Sequence, residues 1–438
     1  MIFDLPPILG LAPLVLYIIL AFKENMHPIV NVGVCVLLGA ILSGESIGNL
    51  GNVVYASMGS FLALVGFIIM LGSGLGMVLR KTGVAENIVQ LFMQKIGVKT
   101  QKRAILATMV SSIVLVTLLG TLAGANAIIA PIVIPLVAAV GLTPSTLAVI
   151  FQGAGQTGLF LSPFGPPMVT LMQITGLSYP RVLLCAGLPI AVIMWIGTYI
   201  MAVRTQKQTQ GKESFGEQAE EKPALSAEKV KATKSTVAAT AAFALIMLAM
   251  VVWGIATAGG ASFVILVMIV ASLVTGLVGG MSPGQVFDAM MEGCGRMFWM
   301  FFMFLLFDPF LNFVTNSGGF EALVDLVEPY ISVGGVIGFA IIVSLIGIFG
   351  INGAAVAQAM MIDTLFRPFL GDLGVSMELW AAIVLVGSQI TSFAYPGADM
   401  IGQMGLAHAS DIKPMMKLAY MAIIPGTMLV VILECFIF

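Results

Sequence analysis

The sequence predicts an all-α polytopic membrane protein built from two inverted-topology repeats, each with a re-entrant helical hairpin and a discontinuous helix. Three observations lead to this prediction. Apolar residues make up 59% of the 438 residues and charged residues only 9%, which is more apolar surface than a soluble chain of this length can bury. Four of the long apolar runs are interrupted by Gly, Pro and small polar residues. One polar stretch separates two parts of equal length.

Composition and motifs also exclude several functional classes. The sequence has no basic patch, so a nucleic-acid partner is not expected. It has no Gly-rich loop followed by Lys-Ser or Lys-Thr that would cradle a phosphate. With only two histidines in the chain, a nucleophile activated by a neighbouring base is not expected either. We therefore expect no enzyme activity and no bound cofactor, and the lipid bilayer as the surrounding medium.

Continuous apolar runs are predicted as plain membrane helices. A spanning helix needs roughly 17–25 residues, and these runs come close to or reach that length. They lie at about 8–22, 28–43, 60–79, 181–203, 237–257, 261–281, 295–315 and 416–437.

Two segments consist of a pair of apolar arms joined by a short turn of small residues. The first is 104–141, with the turn expected at Gly124, Ala125 and Asn126. The second is 332–366, with the turn expected at 350–353. We predict that each forms a re-entrant hairpin whose tip reaches the middle of the membrane.

Two further segments have spanning length but are interrupted near the middle. These are 146–177, broken within 156–167, and 379–408, broken within 389–399. Backbone groups left unpaired in hydrocarbon cost several kcal/mol each, so such breaks are tolerated only where they line a cavity. We predict two discontinuous helices whose breaks form a binding site together with the hairpin tips.

Residues 204–235 are rich in charged and polar side chains and are predicted as a solvated linker. They separate a first repeat, 1–203, from a second repeat, 236–438. Sequence features recur between the two: Gly83, for example, corresponds to Gly318, 235 positions later. Each repeat is predicted to cross the membrane five times, and an odd number of crossings inverts the second repeat relative to the first.

The distribution of charge predicts the orientation in a bacterial inner membrane. Basic residues collect on one predicted side and acidic residues on the other. Because cytoplasmic loops carry the excess of Lys and Arg, we expect the linker in the cytoplasm and both chain ends outside. The basic residues are Arg80, Lys81, Lys95, Lys99, Lys102, Arg103, Lys413 and Lys417, and the acidic ones are Glu45, Glu321, Asp325 and Glu328.

Candidate substrate-binding side chains are the amides and hydroxyls at the four breaks. The predicted membrane centre contains no Lys or Arg, so an anionic solute would be held by these groups and by free N–H groups at helix N-termini. Capping of a local helix end is the alternative role for each of them. The candidates are Asn126, Gln156, Thr157, Ser162, Asn352, Gln389, Thr391, Ser392 and Tyr395.

Two acidic residues are candidates for binding the coupling ion. Asp308 lies deep in an apolar run, and Asp399 lies at a break. A carboxylate inside the membrane is costly unless it binds a proton or a cation. For Asp308, a protonated side chain beside the kink at Pro309 is the alternative. If the ion is Na⁺, we expect ligands from Asn126, Asn352 and Asp399.

Five segments are similar to the gluconate permease family, and the overall layout resembles the ion transporter superfamily of secondary carriers. The segments are 72–76, 81–86, 162–167, 374–379 and 395–399. The resemblance implies an elevator-type carrier, in which a scaffold of plain helices supports a sliding transport domain of hairpins and broken helices. It also implies a homodimer.

Together these features predict a secondary active transporter that works by alternating access. We expect symport of a small organic anion, such as a hydroxy acid or a dicarboxylate, coupled to H⁺ or Na⁺. The alternative is a Na⁺/H⁺ antiporter of the same superfamily, in which Asp308 and Asp399 exchange cations and no organic solute binds.

Overall fold

The computed structural model describes residues 6–21, 26–215, 233–257, 259–350 and 353–438. Within these ranges the regular secondary structure is helical, with no β-strand. Among the described residues, eight helical stretches are long and apolar enough to cross a membrane. The prediction of an all-helical polytopic membrane protein is therefore confirmed.

The described residues of the first part of the chain form eleven α-helices, preceded by a 3₁₀ turn at Pro7–Leu11. Because α6 and α7 are joined by two residues, they pack as an antiparallel pair. The helices are α1 (Ala12–Ala21), α2 (Pro28–Ser43), α3 (Leu50–Ser57), α4 (Phe61–Lys81), α5 (Val84–Ile96), α6 (Gln101–Leu119), α7 (Leu122–Ala138), α8 (Pro144–Leu161), α9 (Pro166–Thr175), α10 (Tyr179–Val182) and α11 (Leu188–Thr209).

The described residues of the second part contain eleven more helices. In α15, Gly335 has non-helical backbone angles (φ 55°, ψ −155°), so the element is two helices meeting at that glycine. The helices are α12 (Lys234–Ala256), α13 (Ala261–Val278), α14 (Pro283–Asn316), α15 (Gly319–Ile348), α16 (Ala355–Phe366), α17 (Phe369–Leu373), α18 (Met377–Gln389), α19 (Thr391–Ala394), α20 (Ala398–Leu406), α21 (Lys413–Leu418) and α22 (Ile424–Glu434).

The order of elements in the first part recurs in the second. In each, a long helix ends at a glycine with positive φ, Gly83 and Gly318, both with φ 73°. A helical hairpin, an interrupted helix and a closing helical segment then follow. Each closing segment contains a π-helical turn, at Leu183–Gly187 and at Ala419–Ile423.

The turn of the first hairpin lies earlier than predicted. The sequence places it at Gly124–Asn126, whereas α6 ends at Gly120, which has φ 64° and whose N–H donates to the carbonyl of Val116 at 2.8 Å. Gly124 is instead helical, within α7. A left-handed residue terminates a helix readily when it is glycine, and of the two glycines only Gly120 adopts that conformation.

The boundaries of the predicted linker also differ. Helix α11 continues to Thr209, because Gln206 accepts a hydrogen bond from the N–H of Thr143 at 3.0 Å and so holds the helix end against α8. Of the predicted linker 204–235, residues 216–232 lie outside the described ranges. Helix α12 begins at Lys234.

Helices α4 and α14 form a close antiparallel contact through glycines. A Cβ atom placed on Gly293 would lie 2.3 Å from the carbonyl oxygen of Ser73, and one on Gly74 would lie 3.0 Å from the Sγ of Cys294. The hydroxyl of Ser73 donates to the carbonyl of Gly293 at 2.8 Å. Because larger side chains would separate the backbones, these glycines fix the distance between the two helices.

Helices α8 and α18 are enclosed by protein. All residues from Pro144 to Gly158 are buried, as are all from Leu379 to Gln389. Neither stretch faces lipid, so the amides and hydroxyls that they carry lie in protein surroundings, where polar groups are tolerated when they find partners.

Candidate functional site

A cavity of about 150 Å³ lies where the helix interruptions meet. Its walls come from the turn between α6 and α7, the segment from α8 to α9, the start of α16, the segment from α18 to α20, and side chains of α4 and α14. Its polar lining consists of hydroxyls, amides and the carboxylate of Asp399, and no Lys or Arg is among the described residues that line it. We call it the central cavity.

Five of the residues predicted from the sequence line the central cavity: Gln156, Gln389, Thr391, Ser392 and Asp399. The Nε2 atom of Gln156 lies 3.4 Å from Oε1 of Gln389. Gln156 is 2% exposed, and its Oε1 atom has no hydrogen-bond partner among the described residues. A buried amide oxygen without a partner carries a desolvation cost that a ligand donor would remove.

Thr391 and Ser392 are tied to the backbone around the cavity. The hydroxyl of Thr391 donates to the carbonyl of Gly347 at 2.9 Å and accepts from Nε2 of Gln358 at 2.9 Å. The hydroxyl of Ser392 donates to the carbonyl of Gln389 at 2.9 Å. These bonds stiffen the interruption after α18, so the cavity wall is held in place by the protein's own contacts.

Four other predicted residues, Asn126, Thr157, Ser162 and Tyr395, are not part of the cavity lining. Asn126 is fully buried and joins three elements: it donates to Gln403 at 2.7 Å and to the carbonyl of Phe151 at 3.2 Å, and it accepts from Ser112 at 2.7 Å.

Thr157 accepts from Nε1 of Trp195 and donates to the carbonyl of Ala154, both at 2.6 Å. Ser162 is buried, and its hydroxyl has no partner among the described residues. Tyr395 donates its hydroxyl to the carbonyl of Gly350.

Asp308 lies apart from the central cavity. It is half-buried on α14, and its carboxylate accepts a hydrogen bond from Nδ2 of Asn312 at 3.3 Å. The neighbouring Phe307 and Phe310 pack against Tyr17 of the α1 region. Asn352, predicted for both solute and Na⁺ binding, lies outside the described residues.

Several polar residues near the site were not predicted. Gln358 donates to the carbonyl of Gly387 at 2.6 Å and also to that of Gly347, and Gln152 donates to the carbonyl of Ser392 at 3.1 Å. Thr121 and Ser388 line the central cavity. Gln358 and Gln152 could have been predicted from the sequence, because each is a glutamine inside an apolar run and an amide in a membrane segment needs a partner.

Four helix N-termini face the central cavity. The first residues of α7, α9 and α16, and the second residue of α20, Asp399, are part of its lining. None of these four N-termini has a hydrogen bond from a capping side chain. The positive ends of four helix dipoles therefore lie at the cavity wall, an arrangement that favours an anion. Helices α7, α16 and α20 also have free N–H groups in their first turns, whereas the first two residues of α9, Pro166 and Pro167, have none.

Within the part of the chain that the structure describes, no three His, Cys, Asp or Glu side chains come together as a metal site. A cation in the central cavity would instead use Asp399 together with neutral oxygens, since oxygen ligands are the ones that hard cations accept.

Parts of the chain are similar in sequence to known membrane proteins. The profile of the Na⁺/H⁺ antiporter family matches residues 6–201. The inner membrane permease YgbN of Escherichia coli is 34% identical over 91 residues, which are 21% of this chain and 20% of the permease. The alignment thus spans a fifth of the length of that relative.

Two solved structures have a similar fold along almost the whole chain. MtrF of Neisseria gonorrhoeae, described within a class of antimetabolite efflux pumps, superposes with a TM-score of 0.58 at 15% identity, covering 95% of this chain and 96% of MtrF. The YdaH transporter of Alcanivorax borkumensis gives 0.57 at 14% identity, covering 94% and 98%. Together with the spanning helices, these matches show that the chain has the fold of a multi-pass membrane protein, similar to that of MtrF and YdaH.

Proposed function

We propose that the protein transports a small organic anion together with a cation, H⁺ or Na⁺, by alternating access. The observation that carries this proposal is the convergence of four uncapped helix N-termini on one cavity without a lining Lys or Arg among the described residues. Such N-termini attract a carboxylate through N–H groups and partial positive charge.

The size and polarity of the central cavity support an organic solute. Its volume of about 150 Å³ exceeds the ~10–15 Å³ that one water molecule occupies by this kind of measure. The unpartnered Oε1 of Gln156 needs a hydrogen-bond donor, which the hydroxyl of a hydroxy acid supplies. A hydroxy acid therefore suits the lining better than an anion without a donor group.

Asp399 is the group to which we assign the coupling cation. Its carboxylate lines the same cavity as the N-termini that would hold the anion. Two negative charges in one buried site repel each other, so an anion binds well only after the carboxylate has taken up H⁺ or Na⁺. Binding of the two ions is then coupled by their mutual electrostatic interaction.

We propose an elevator-type motion because the helices pack as two groups. We assign five helices to a scaffold because each packs against the next in the order α2, α14, α4, α13 and α12. The two hairpins and the interrupted helices would move as the transport domain. The recurring order of elements supports two inverted repeats. From the distribution of charge we propose that the linker lies in the cytoplasm and both ends lie outside, and from the resemblance to the gluconate permease family we propose a homodimer.

Na⁺/H⁺ antiport is the second candidate, and the match of residues 6–201 to the antiporter family favours it. In that case Asp399 would bind Na⁺ and H⁺ in turn, and the N-termini around the cavity would hold no organic solute.

Transport by the purified protein in proteoliposomes separates the two candidates. Gradients of H⁺ and of Na⁺ are imposed in turn, with and without small carboxylates such as L-malate and L-lactate, and both solute uptake and internal pH are followed. Symport predicts carboxylate uptake that depends on one of the gradients. Exchange of Na⁺ for H⁺ in the absence of any carboxylate, with no carboxylate uptake, would reject it. Liposomes containing Asp399→Asn serve as the matched control.

A further inference from the structure

A second cavity, of about 350 Å³, lies beside the central cavity. It is lined by α4 and α14 on one side and by α7 and α20 on the other. Three residues, Thr121, Ala123 and Met297, line both cavities, so the two are adjacent. We call the second cavity the antechamber.

Two arginines, Arg80 and Arg296, line the antechamber, and no acidic residue is among its described lining. Both residues are exposed. Three nearby residues carry further charge: Glu292 lies 2.7 Å from Lys81 and 3.2 Å from Arg296, and Glu86 interacts electrostatically with Arg80. Arg80, Arg296 and Lys81 together outnumber Glu292 and Glu86 by one charge, so this group of residues carries one net positive charge, and of the five only the two arginines line the cavity.

The antechamber opens towards the side of the molecule that carries the linker. Arg80 lies at the end of α4, next to Thr82, whose carbonyl accepts a hydrogen bond from Thr236 at 3.3 Å. Thr236 is in the first turn of α12, directly after the linker. The Arg80 end of the cavity is therefore its outer end.

The two arginines lie at different depths. Arg296 follows Gly293 on α14 by one turn, and Gly293 packs against Ser73. Arg80 lies about two turns, or roughly 10 Å, beyond Ser73 towards the linker. An anion moving inwards would therefore meet Arg80 first, Arg296 second and then Thr121 at the boundary with the central cavity.

We propose that the antechamber is a second anion site, in which Arg80 and Arg296 bind the carboxylate of the solute on its way between the linker side and the central cavity. This inference rests on the proposed function for the identity of the anion. The arginines belong to the proposed scaffold helices α4 and α14, whereas α7 and α20 of the proposed transport domain supply the opposite wall. We therefore assign anion binding at this site to the state of the transporter that is open to the linker side.

Thiol labelling of the full-length protein in nanodiscs of zwitterionic lipid tests the charge directly. Ala127 is exposed and lines the antechamber, and Ala127→Cys in a Cys435→Ser background places a thiol there. Ser410→Cys, on an exposed segment that does not line the cavity, is the matched control. The measured quantity is a ratio of labelling rates: the rate with an anionic methanethiosulfonate divided by the rate with a cationic one.

We expect this ratio to be about tenfold higher at position 127 than at position 410, since a nearby cation changes the encounter with the two reagents in opposite directions. Arg80→Gln and Arg296→Gln should each lower it severalfold, and Arg296→Lys should preserve it. Equal ratios at both positions, or a ratio that neither glutamine variant changes, would overturn the proposal. Failure of a neutral reagent to reach the thiol of the Ala127→Cys variant would overturn it as well.

Protection by a solute tests which anion binds. L-malate should slow labelling of the Ala127→Cys variant more than sodium chloride of equal ionic strength, and Arg296→Gln should abolish the difference. Slowing that requires anionic phospholipid in the nanodisc, and not malate, would assign the site to a lipid headgroup and reject a solute site.

Transport separates this inference from the proposed function. Arg80→Gln and Arg296→Gln should raise KM for anion presented on the linker side, and leave KM on the opposite side unchanged. If the protein exchanged only Na⁺ and H⁺, no such KM would exist, whereas the labelling ratio would still report the charge of the antechamber.

Discussion

The side chains of Gln156 and Gln389 meet at the central cavity, with Nε2 of the first 3.4 Å from Oε1 of the second. They lie 233 positions apart and occupy corresponding places near the ends of α8 and α18. A hydrogen bond of that length is weak, and Oε1 of Gln156 has no partner among the described residues. The pair therefore retains capacity to bind a ligand.

Replacing either glutamine should weaken solute binding. Gln156→Ala and Gln389→Ala are each expected to raise the Kd of the transported anion about twofold to tenfold, since a hydrogen bond between neutral groups contributes ~0.5–1.5 kcal/mol. Gln173→Ala changes an exposed glutamine on α9 and should leave the Kd unchanged. Binding is measured by thermal shift or calorimetry. Equal effects of all three substitutions would exclude a specific role for the pair.

Removing the charge of Asp399 should uncouple solute binding from the cation. In Asp399→Asn, uptake should lose its dependence on the H⁺ or Na⁺ gradient, because the site no longer has a carboxylate to neutralise. Asp308→Asn is the comparison, since Asp308 is half-buried and does not line the central cavity. Loss of gradient dependence in Asp308→Asn alone would move the coupling site to α14.

Asn126 is expected to contribute to stability. Asn126→Ala would leave Gln403, the carbonyl of Phe151 and Ser112 without the hydrogen bonds that they now make to it. An unsatisfied buried polar group costs ~1–3 kcal/mol, so the Tm should fall by several degrees. The exposed Asn52→Ala is the control. An unchanged Tm, with loss of stabilisation by Na⁺, would instead identify Asn126 as a Na⁺ ligand.

The α4–α14 contact should not tolerate a methyl group at Gly293. Gly293→Ala would place Cβ 2.3 Å from the carbonyl oxygen of Ser73, which must shift, and overpacking of this kind costs ~1–3 kcal/mol. Gly295→Ala, two residues further along the same helix, meets no atom within 4 Å and should raise stability slightly through its better helix propensity. Opposite changes in Tm are therefore expected for the two variants.

Helix type and order were predictable because they depend on local patterns. Apolar runs of spanning length gave most membrane helices, and the glycines at 83 and 318 marked corresponding helix ends. The turn of the first hairpin was misplaced because Gly120 and Gly124 both suit a turn, and packing decides between them. A continuous apolar run likewise did not reveal that α14 begins at Pro283, well before the predicted start at 295.

The cavity lining was predictable only in part, because side-chain direction depends on tertiary contacts. Gln156, Gln389 and Asp399 line the central cavity, whereas Asn126, equally polar and also near a turn, points into a buried network with Gln403. That contact joins residues 277 positions apart. Arg296 was not predicted as a site residue because it lies at the start of the predicted run 295–315, whereas α14 begins at Pro283 and places Arg296 well inside the helix.

Attraction of an anion by the ends of four helices has a consequence for the solute-free step of the transport cycle. The partial positive charge at each helix N-terminus belongs to the backbone and is balanced by the partial negative charge at the other end of the same helix. The central cavity without solute therefore contains no full positive charge. Among its described lining residues only Asp399 carries a formal charge, and a bound proton or Na⁺ neutralises it. In symport the cation leaves with the solute, so the form that returns across the bilayer is the one with Asp399 ionised, its charge offset by the positive helix ends. The rate of that return should therefore fall as the cation concentration on the release side rises.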